Sequence, residues 1–227
     1  VVAQGGRFMG GLGFATISED GRTRNYLSIA FRPELSFGKI GVGLNINLLY
    51  DIEGGGIRAQ DWDSSYDYLR LLRYLRYGRK MDKTYARIGT LDAARLGHGF
   101  IVNYFTNEAS YDNRKIGLEL DLDFGEYGFE SAVSNLGRSD LLGLRIYLRP
   151  MYTLDIPVLK NFAMGATYAA DLDPDVNAGS DDGISVIGGD LELPLVRTSV
   201  FTTMLYFDYA HIRGYSSVEH RTRIFGA

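Results

Sequence analysis

The chain contains no cysteine, which excludes a disulfide scaffold, a thiolate metal site and a thiol nucleophile. Proline is sparse, at 5 among 227 residues, and there is 1 tryptophan. Lysine is confined to Lys39, Lys80, Lys83, Lys115 and Lys160. A net charge of −4 gives no electrostatic reason to bind nucleic acid. No apolar run approaches the roughly 18 residues that a membrane helix needs. Average hydropathy is close to zero, but that average is blind to membrane strands, whose two faces cancel. No basic start with an apolar core opens the chain at Val1-Val2-Ala3-Gln4, so a signal peptide is expected to be absent or already removed.

Glycine and aromatic residues are plentiful: 28 Gly, 16 Tyr and 12 Phe. With 45% hydrophobic and 23% charged residues, this is the composition of a folded chain. The dominant pattern is alternation of period two, the mark of half-buried strands. From Lys39 to Tyr50, Ile40, Val42, Leu44, Ile46, Leu48 and Tyr50 oppose Gly41, Gly43, Asn45 and Asn47. From Lys115 to Phe124, Ile116, Leu118, Leu120 and Leu122 oppose Gly117, Glu119, Asp121 and Asp123. Asn25 to Phe37, Leu142 to Pro150, Phe162 to Ala170, Gly189 to Leu195 and Phe201 to Tyr209 follow the same rule. The apolar faces of these seven segments carry no charge. The opposite faces carry Arg32, Glu34, Glu119, Asp121, Asp123, Arg145, Arg149, Asp190, Glu192 and Asp208.

Weaker strands are expected at Phe8 to Ile17, Arg73 to Arg79, Lys83 to Thr90, Gly99 to Phe105 and Tyr127 to Leu136. Turn residues separate them at Ser18-Glu19-Asp20-Gly21, Gly38-Lys39, Lys80-Met81-Asp82, Gly125-Glu126-Tyr127-Gly128 and Arg197-Thr198. No helices remain to cross over a parallel sheet, so residues 1–227 are expected to form one all-β, antiparallel, up-and-down domain. Arg221 to Phe225 begins a further strand, and the native polypeptide is expected to continue beyond it.

A soluble sandwich and a membrane barrel share such alternation. Length separates them, because ordinary strands run about 5–6 residues and membrane strands roughly 9–11. Several segments here sustain alternation for 10–13 residues. Phe37, Tyr50, Phe124, Phe162, Phe201 and Tyr209 sit at or near strand ends on apolar faces, where interfacial girdles lie. With its alternating apolar and polar faces and its strands rich in Gly, Tyr and Asn, the chain resembles the bacterial outer-membrane β-barrel class that includes porins. The resemblance spans nearly the whole chain and rests on pattern, without a diagnostic motif. It implies a transmembrane β-barrel of about twelve or more strands in the outer membrane. Its partners would be the lipid bilayer and small polar solutes or ions, and a homo-oligomer is compatible with it. The class habit of an aromatic last residue is not met by Phe225-Gly226-Ala227.

Barrel connections should alternate between short turns and longer loops. Parity slips between Thr90 and Thr106, and the segment Asp67 to Arg79 is the expected source. Arg70, Arg73, Arg76 and Arg79 recur every three residues there. As a strand it would place Arg73 beside Leu71, Leu75 and Tyr77 on the lipid face, at about 2–4 kcal/mol near the midplane. The alternatives are a rim strand, a short helix or an inward constriction.

Three constellations bear on chemistry. The ten charges named above would line the lumen, with a cation bias because acids outnumber bases; alternatively they pair across it and fill it. Asp171, Asp173, Asp175, Asn177 and Asp182 share the spacing of a calcium loop, without its sixth-position glycine, since Val176 stands there. A solvated acidic loop is the competing reading, and no other cofactor is expected. His98, His211 and His220 are the histidines available to a hydrolase. Asp208 and His211 are three apart, so on a strand they point to opposite faces. Gly11-Leu12-Gly13 and Gly41-Val42-Gly43 lack the third glycine of a phosphate loop. The expectation is therefore a passive channel with no catalytic residue. A barrel closed by its own side chains is the main alternative, and a barrel hydrolase the second.

Overall fold

A computed structural model describes residues 4–19, 22–63, 71–107, 115–137, 141–172, 183–198, 200–213 and 223–226. The chain divides into two compact units, Val1–Gly78 and Arg79–Ala227. Both are antiparallel sheet. Two short 3-10 turns, Ala59–Asp61 and Leu159–Asn161, interrupt them. Among the described residues no helix is long and apolar enough to cross a membrane.

Val1–Gly78 holds β1 (Gln4–Glu19), β2 (Arg22–Phe37), β3 (Ile40–Leu44), β4 (Ile46–Asp51) and β5 (Leu72–Tyr77). β1 and β2 pair along their whole length, from Gln4 opposite Phe37 to Glu19 opposite Arg22. On its other side β2 pairs with β3 and β4 in one unbroken register, so these two behave as a single strand interrupted at Asn45. Gly38 opens the two-residue turn between β2 and β3 with a positive φ of 62°, as a type II′ turn requires at that position.

Arg79–Ala227 holds β6 (Thr84–Gly89), β7 (Gly117–Asp123), β8 (Tyr127–Val133), β9 (Leu141–Leu148), β10 (Ala163–Asp171), β11 (Ile184–Arg197), β12 (Thr202–Arg213) and β13 (Arg223–Gly226). Each pairs with the next in chain order, an up-and-down meander. The middle strands are short, but bonding continues past their ends: Phe124 donates to Tyr127, Ser134 to Leu141 and Leu136 to Ile116.

Burial follows the alternation with the sign reversed from a water-soluble sheet. Adjacent residues on β9 make the point: Arg145 is 3% exposed and Ile146 is 62% exposed. Glu119, Asp121, Asp190 and Asp208 are buried, while Leu148, Leu191, Leu205 and Phe207 are exposed. In Val1–Gly78 the buried side of β3 and β4 holds Gly41, Gly43 and Asn45, and Ile40 and Tyr50 are exposed.

Two expectations are corrected. Gly99 to Phe105 is no strand. Positive φ at Gly97, Gly99 and Tyr104 breaks the extended backbone, and the β-pairing of the segment is limited to the isolated bridge between Ala94 and Phe105. Removing it restores parity in Arg79–Ala227. Connections 90–116, 134–140 and 172–183 then fall at one end of that sheet, and 124–126, 149–162 and 198–201 at the other. The miscount therefore does not lie in Asp67 to Arg79, of which the described part contains β5. Nor does Arg73 take a place on the apolar face. A register shift between Gly43 and Leu44 sets Leu72 opposite Leu44, so the bulge at Arg73 returns the apolar position to Leu72.

Candidate functional site: the buried polar face

Alternation places Glu119 and Asp121 of β7, Glu130 of β8, Arg145 and Tyr147 of β9, Asp190 and Glu192 of β11 and Asp208 of β12 on one face. The register sets Asp121 opposite Glu130 and Asp190 opposite Asp208. Like charges directly opposed are destabilising, and cations bind them: Lys80 holds Asp121, and Arg145 holds Glu130 and Asp190. Arg145 donates to Glu130 at 2.6 Å and to both oxygens of Asp190 at 2.6 and 3.0 Å. Lys80, reaching in from a turn, lies 2.6 Å from Glu119 and 3.0 Å from Asp121. Tyr85 donates to the other oxygen of Glu119 at 3.1 Å. Arg149 grips both oxygens of Asp123 at 2.8 and 2.9 Å, and the Tyr147 ring lies between the guanidinium groups of Arg145 and Arg149. Burial works against the charge on Lys80, but Asp121 and Glu119 outweigh it and hold its pKa above the ordinary lysine value.

A segment of the chain covers this face. After β6, residues 91–107 fold back as a loop that pairs with itself: Ala94 and Phe105 exchange two backbone bonds, and Leu96 donates to Val102. Leu91, Ala94, Leu96 and Val102 form a small core with Ala132 and Ala169 of the sheet, flanked by Ile101 and Phe105. The seat requires small residues. A Cβ on Gly143 would lie 2.8 Å from Leu96 Cδ1. Asn107, 4% exposed, anchors the far end. Its Oδ1 accepts from Leu91 N at 2.8 Å, and its Nδ2 faces the carbonyls of Gly89, Lys115 and Ser134 at 3.2, 3.2 and 2.9 Å.

His98 sits at the tip, between Gly97 and Gly99. Gly97 N donates to Glu130 at 2.7 Å. His98 Nδ1 lies 3.3 Å from Asp208 Oδ1. Its Nε2 lies 3.3 Å from Glu192 Oε2, an ion-pair distance without hydrogen-bond alignment. The ring stacks on Tyr206 with centroids 4.7 Å apart. Glu192 raises the His98 pKa most; burial opposes it, and Asp208 adds to the rise, leaving it above the ordinary histidine value. Beside the tip, Lys80, Asp121, Glu130, Arg149, Glu192 and Tyr206 line one side of a cavity of about 380 Å³ that Met81, Leu122 and Met204 also border.

Val1–Gly78 has a smaller cluster. Glu34 accepts from Tyr74, Arg76 and Ser36. A Cβ on Gly43 would collide with the Tyr74 ring, and one on Gly41 with Arg76. These two glycines of β3 let side chains of β5 reach across to β2. Arg32 donates to Asn45 at 3.2 Å.

All ten charged residues read from the alternation therefore have partners. Eight of them lie in Arg79–Ala227, and Arg32 and Glu34 in Val1–Gly78. Glu130, Lys80, Tyr85, Tyr147 and His98 join the network without having been singled out as its members. Glu130 had a signal, since it alternates with Gly128 and Ala132 opposite Phe129. Lys80 and His98 come from connections, where period two carries no information. Asp208 pairs with His98, and His211 stands on β12 opposite Ile187. Asp171 ends β10, while Asp173, Asp175, Asn177 and Asp182, and also His220, lie outside the described residues. Among the described residues no group of three or more acids and histidines is arranged to hold a metal ion. Comparison with protein-family models, curated proteins and solved structures finds no match to this chain.

Proposed function

We propose that the chain is a bacterial outer-membrane β-barrel that passes small polar solutes or ions without chemical conversion. One observation carries this reading: charged residues are buried and aliphatic ones exposed on the same strands, as at Arg145 and Ile146. In water such an apolar band is unfavourable by about 25 cal/mol per Å², and soluble monomers rarely expose apolar patches beyond a few hundred Å². In hydrocarbon the same band is the stable arrangement, and the charges must then face inward. On the polar face of Arg79–Ala227, acids outnumber bases among the described residues, which favours cations. The protein should require detergent or lipid for extraction and should give stepwise conductance in planar bilayers, with a reversal potential displaced toward cations. Recovery as a water-soluble species without amphiphile overturns the membrane assignment.

A second reading has its own support. The partnering of all ten charges, and the segment 91–107 laid over the polar face of Arg79–Ala227, favour a barrel closed by its own residues that serves as an envelope component. Silent bilayers containing the folded, inserted protein would select this reading over the channel.

A further inference from the structure

We propose that His98 is a proton-dependent latch, holding the segment 91–107 against the polar face while its ring is cationic and releasing it when the ring is neutral. The geometry of the tip carries this. A cationic imidazole has two N–H donors, one for each carboxylate that flanks it. A neutral ring has one donor and one acceptor, so one of its nitrogens must then turn a lone pair toward Asp208 or Glu192. Both carboxylates lie on strands, on β12 and β11, whereas His98 lies on the loop. The charge of the ring therefore acts between the loop and its seat.

The surrounding groups do not cancel this. Glu130 of β8 takes the Gly97 amide beside the tip, and Asp190 of β11 is held by Arg145 of β9. Arg149, also on β9, is bound to Asp123. Lys80, from the turn before β6, is held by Glu119 and Asp121 of β7. Tyr206 of β12 meets the ring face to face. Arg95 lies on the loop itself, with its carbonyl accepting from Lys80. Histidine is the side chain whose ordinary titration falls between mildly acidic and mildly alkaline pH, and His98 is the histidine at the tip. The remaining hold on the segment is a small apolar core, Asn107, the Gly97 amide on Glu130, Lys80 on the Arg95 carbonyl and Arg87 on Asp92, and loss of the latch contact shifts the balance toward release. What the latch controls, passage through the polar side, rests on the channel reading; the latch itself does not.

The absence of cysteine permits a clean test. Val102, 6% exposed on the side of the segment that packs on the sheet, is replaced in Val102→Cys, and Val200, 94% exposed, in the reference Val200→Cys. Each full-length protein, folded in lipid or detergent, is labelled with a water-soluble maleimide at pH 5.5 and 8.5. The Val102→Cys rate is divided by the reference rate to remove the effect of pH on the thiol. We expect the normalised rate to rise about tenfold at pH 8.5. Added His98→Gln should make it fast at both pH values, and added His98→Lys slow at both. Leu96→Cys, buried in the same core, replaces Val102→Cys if that variant does not fold. A normalised rate independent of pH, or an unchanged pH dependence in His98→Gln, overturns the latch. pH-dependent labelling in a protein that carries no current supports the latch and removes the channel, so the two failures are distinct.

Discussion

In Val1–Gly78 the polar side of the sheet carries Glu34 with its three donors and Arg32 with Asn45, reached by side chains that cross glycine. In Arg79–Ala227 the same side carries linked ion pairs, and a length of backbone lies on top of them. The two regions share alternation and antiparallel pairing, so the strand pattern does not cause the difference. Residues inserted between β6 and β7 do. A covered face loses water, and a buried charge without a partner is then costly. The pairing of Arg145 with Glu130 and Asp190 is what that covering demands, and Val1–Gly78 gets by with less.

The largest expected effect tests that contrast. Arg145→Met leaves Asp190 and Glu130 without the cation they share, and should cost about 3–5 kcal/mol of stability. Arg76→Met leaves Glu34 with Tyr74 and Ser36 as donors, and should cost about 1–2 kcal/mol. Urea unfolding of both variants in the same lipid measures the difference. Equal losses would mean that the covering segment does not set the dielectric of the face.

Asn107 comes next. Asn107→Leu removes the acceptor for Leu91 N and the donors to three carbonyls, with the bonds to Leu91 and Ser134 buried, and should cost about 2–3 kcal/mol. Asn45→Leu in Val1–Gly78 removes the acceptor that faces Arg32 and should cost about 0.5–1.5 kcal/mol. Glycine substitutions sharpen the same comparison. Gly143→Val drives a side chain into Leu96 and should cost about 1–3 kcal/mol. Gly13→Val on β1 meets nothing within 4 Å and should be neutral or slightly stabilising, because valine favours strands. If Gly13→Val destabilises as much as Gly143→Val, the glycine at 143 is not there to seat the loop.

Most of the strand framework was legible because each strand faces two different media, and period two survives that. Leu142 to Pro150 predicts β9 to within two residues, and its phase identifies Arg145 as inward. Gly99 to Phe105 misled for a related reason. Ile101, Val102 and Phe105 turn apolar groups toward Ala132 and Ala169, and a segment laid on a sheet imitates the composition of a strand within one. β8 was faint because Ser131 interrupts its apolar face, donating instead to the Leu120 carbonyl at 3.4 Å, and this hid Glu130. Lys80 and His98 could not be placed at all. Their roles depend on which connections fold inward, and that is decided by small residues at 132, 143 and 169, far from them in sequence. The bulge at Arg73 was equally hidden, since one extra residue inverts every assignment beyond it.

The smallest effect is also the most specific, because Val1–Gly78 contains no histidine. The folded state holds the His98 pKa above its unfolded value of about 6.5. Stability from the cationic ring is therefore fully present below about pH 6.5 and is lost as pH rises through the folded value. Hydrogen exchange, corrected for the intrinsic dependence on pH, should show protection across 91–107 falling over that window, while protection across 40–51 stays level. In His98→Gln the two regions should respond alike. A parallel fall of both regions in the unmodified protein would place the pH response outside His98, in some property that the two regions share.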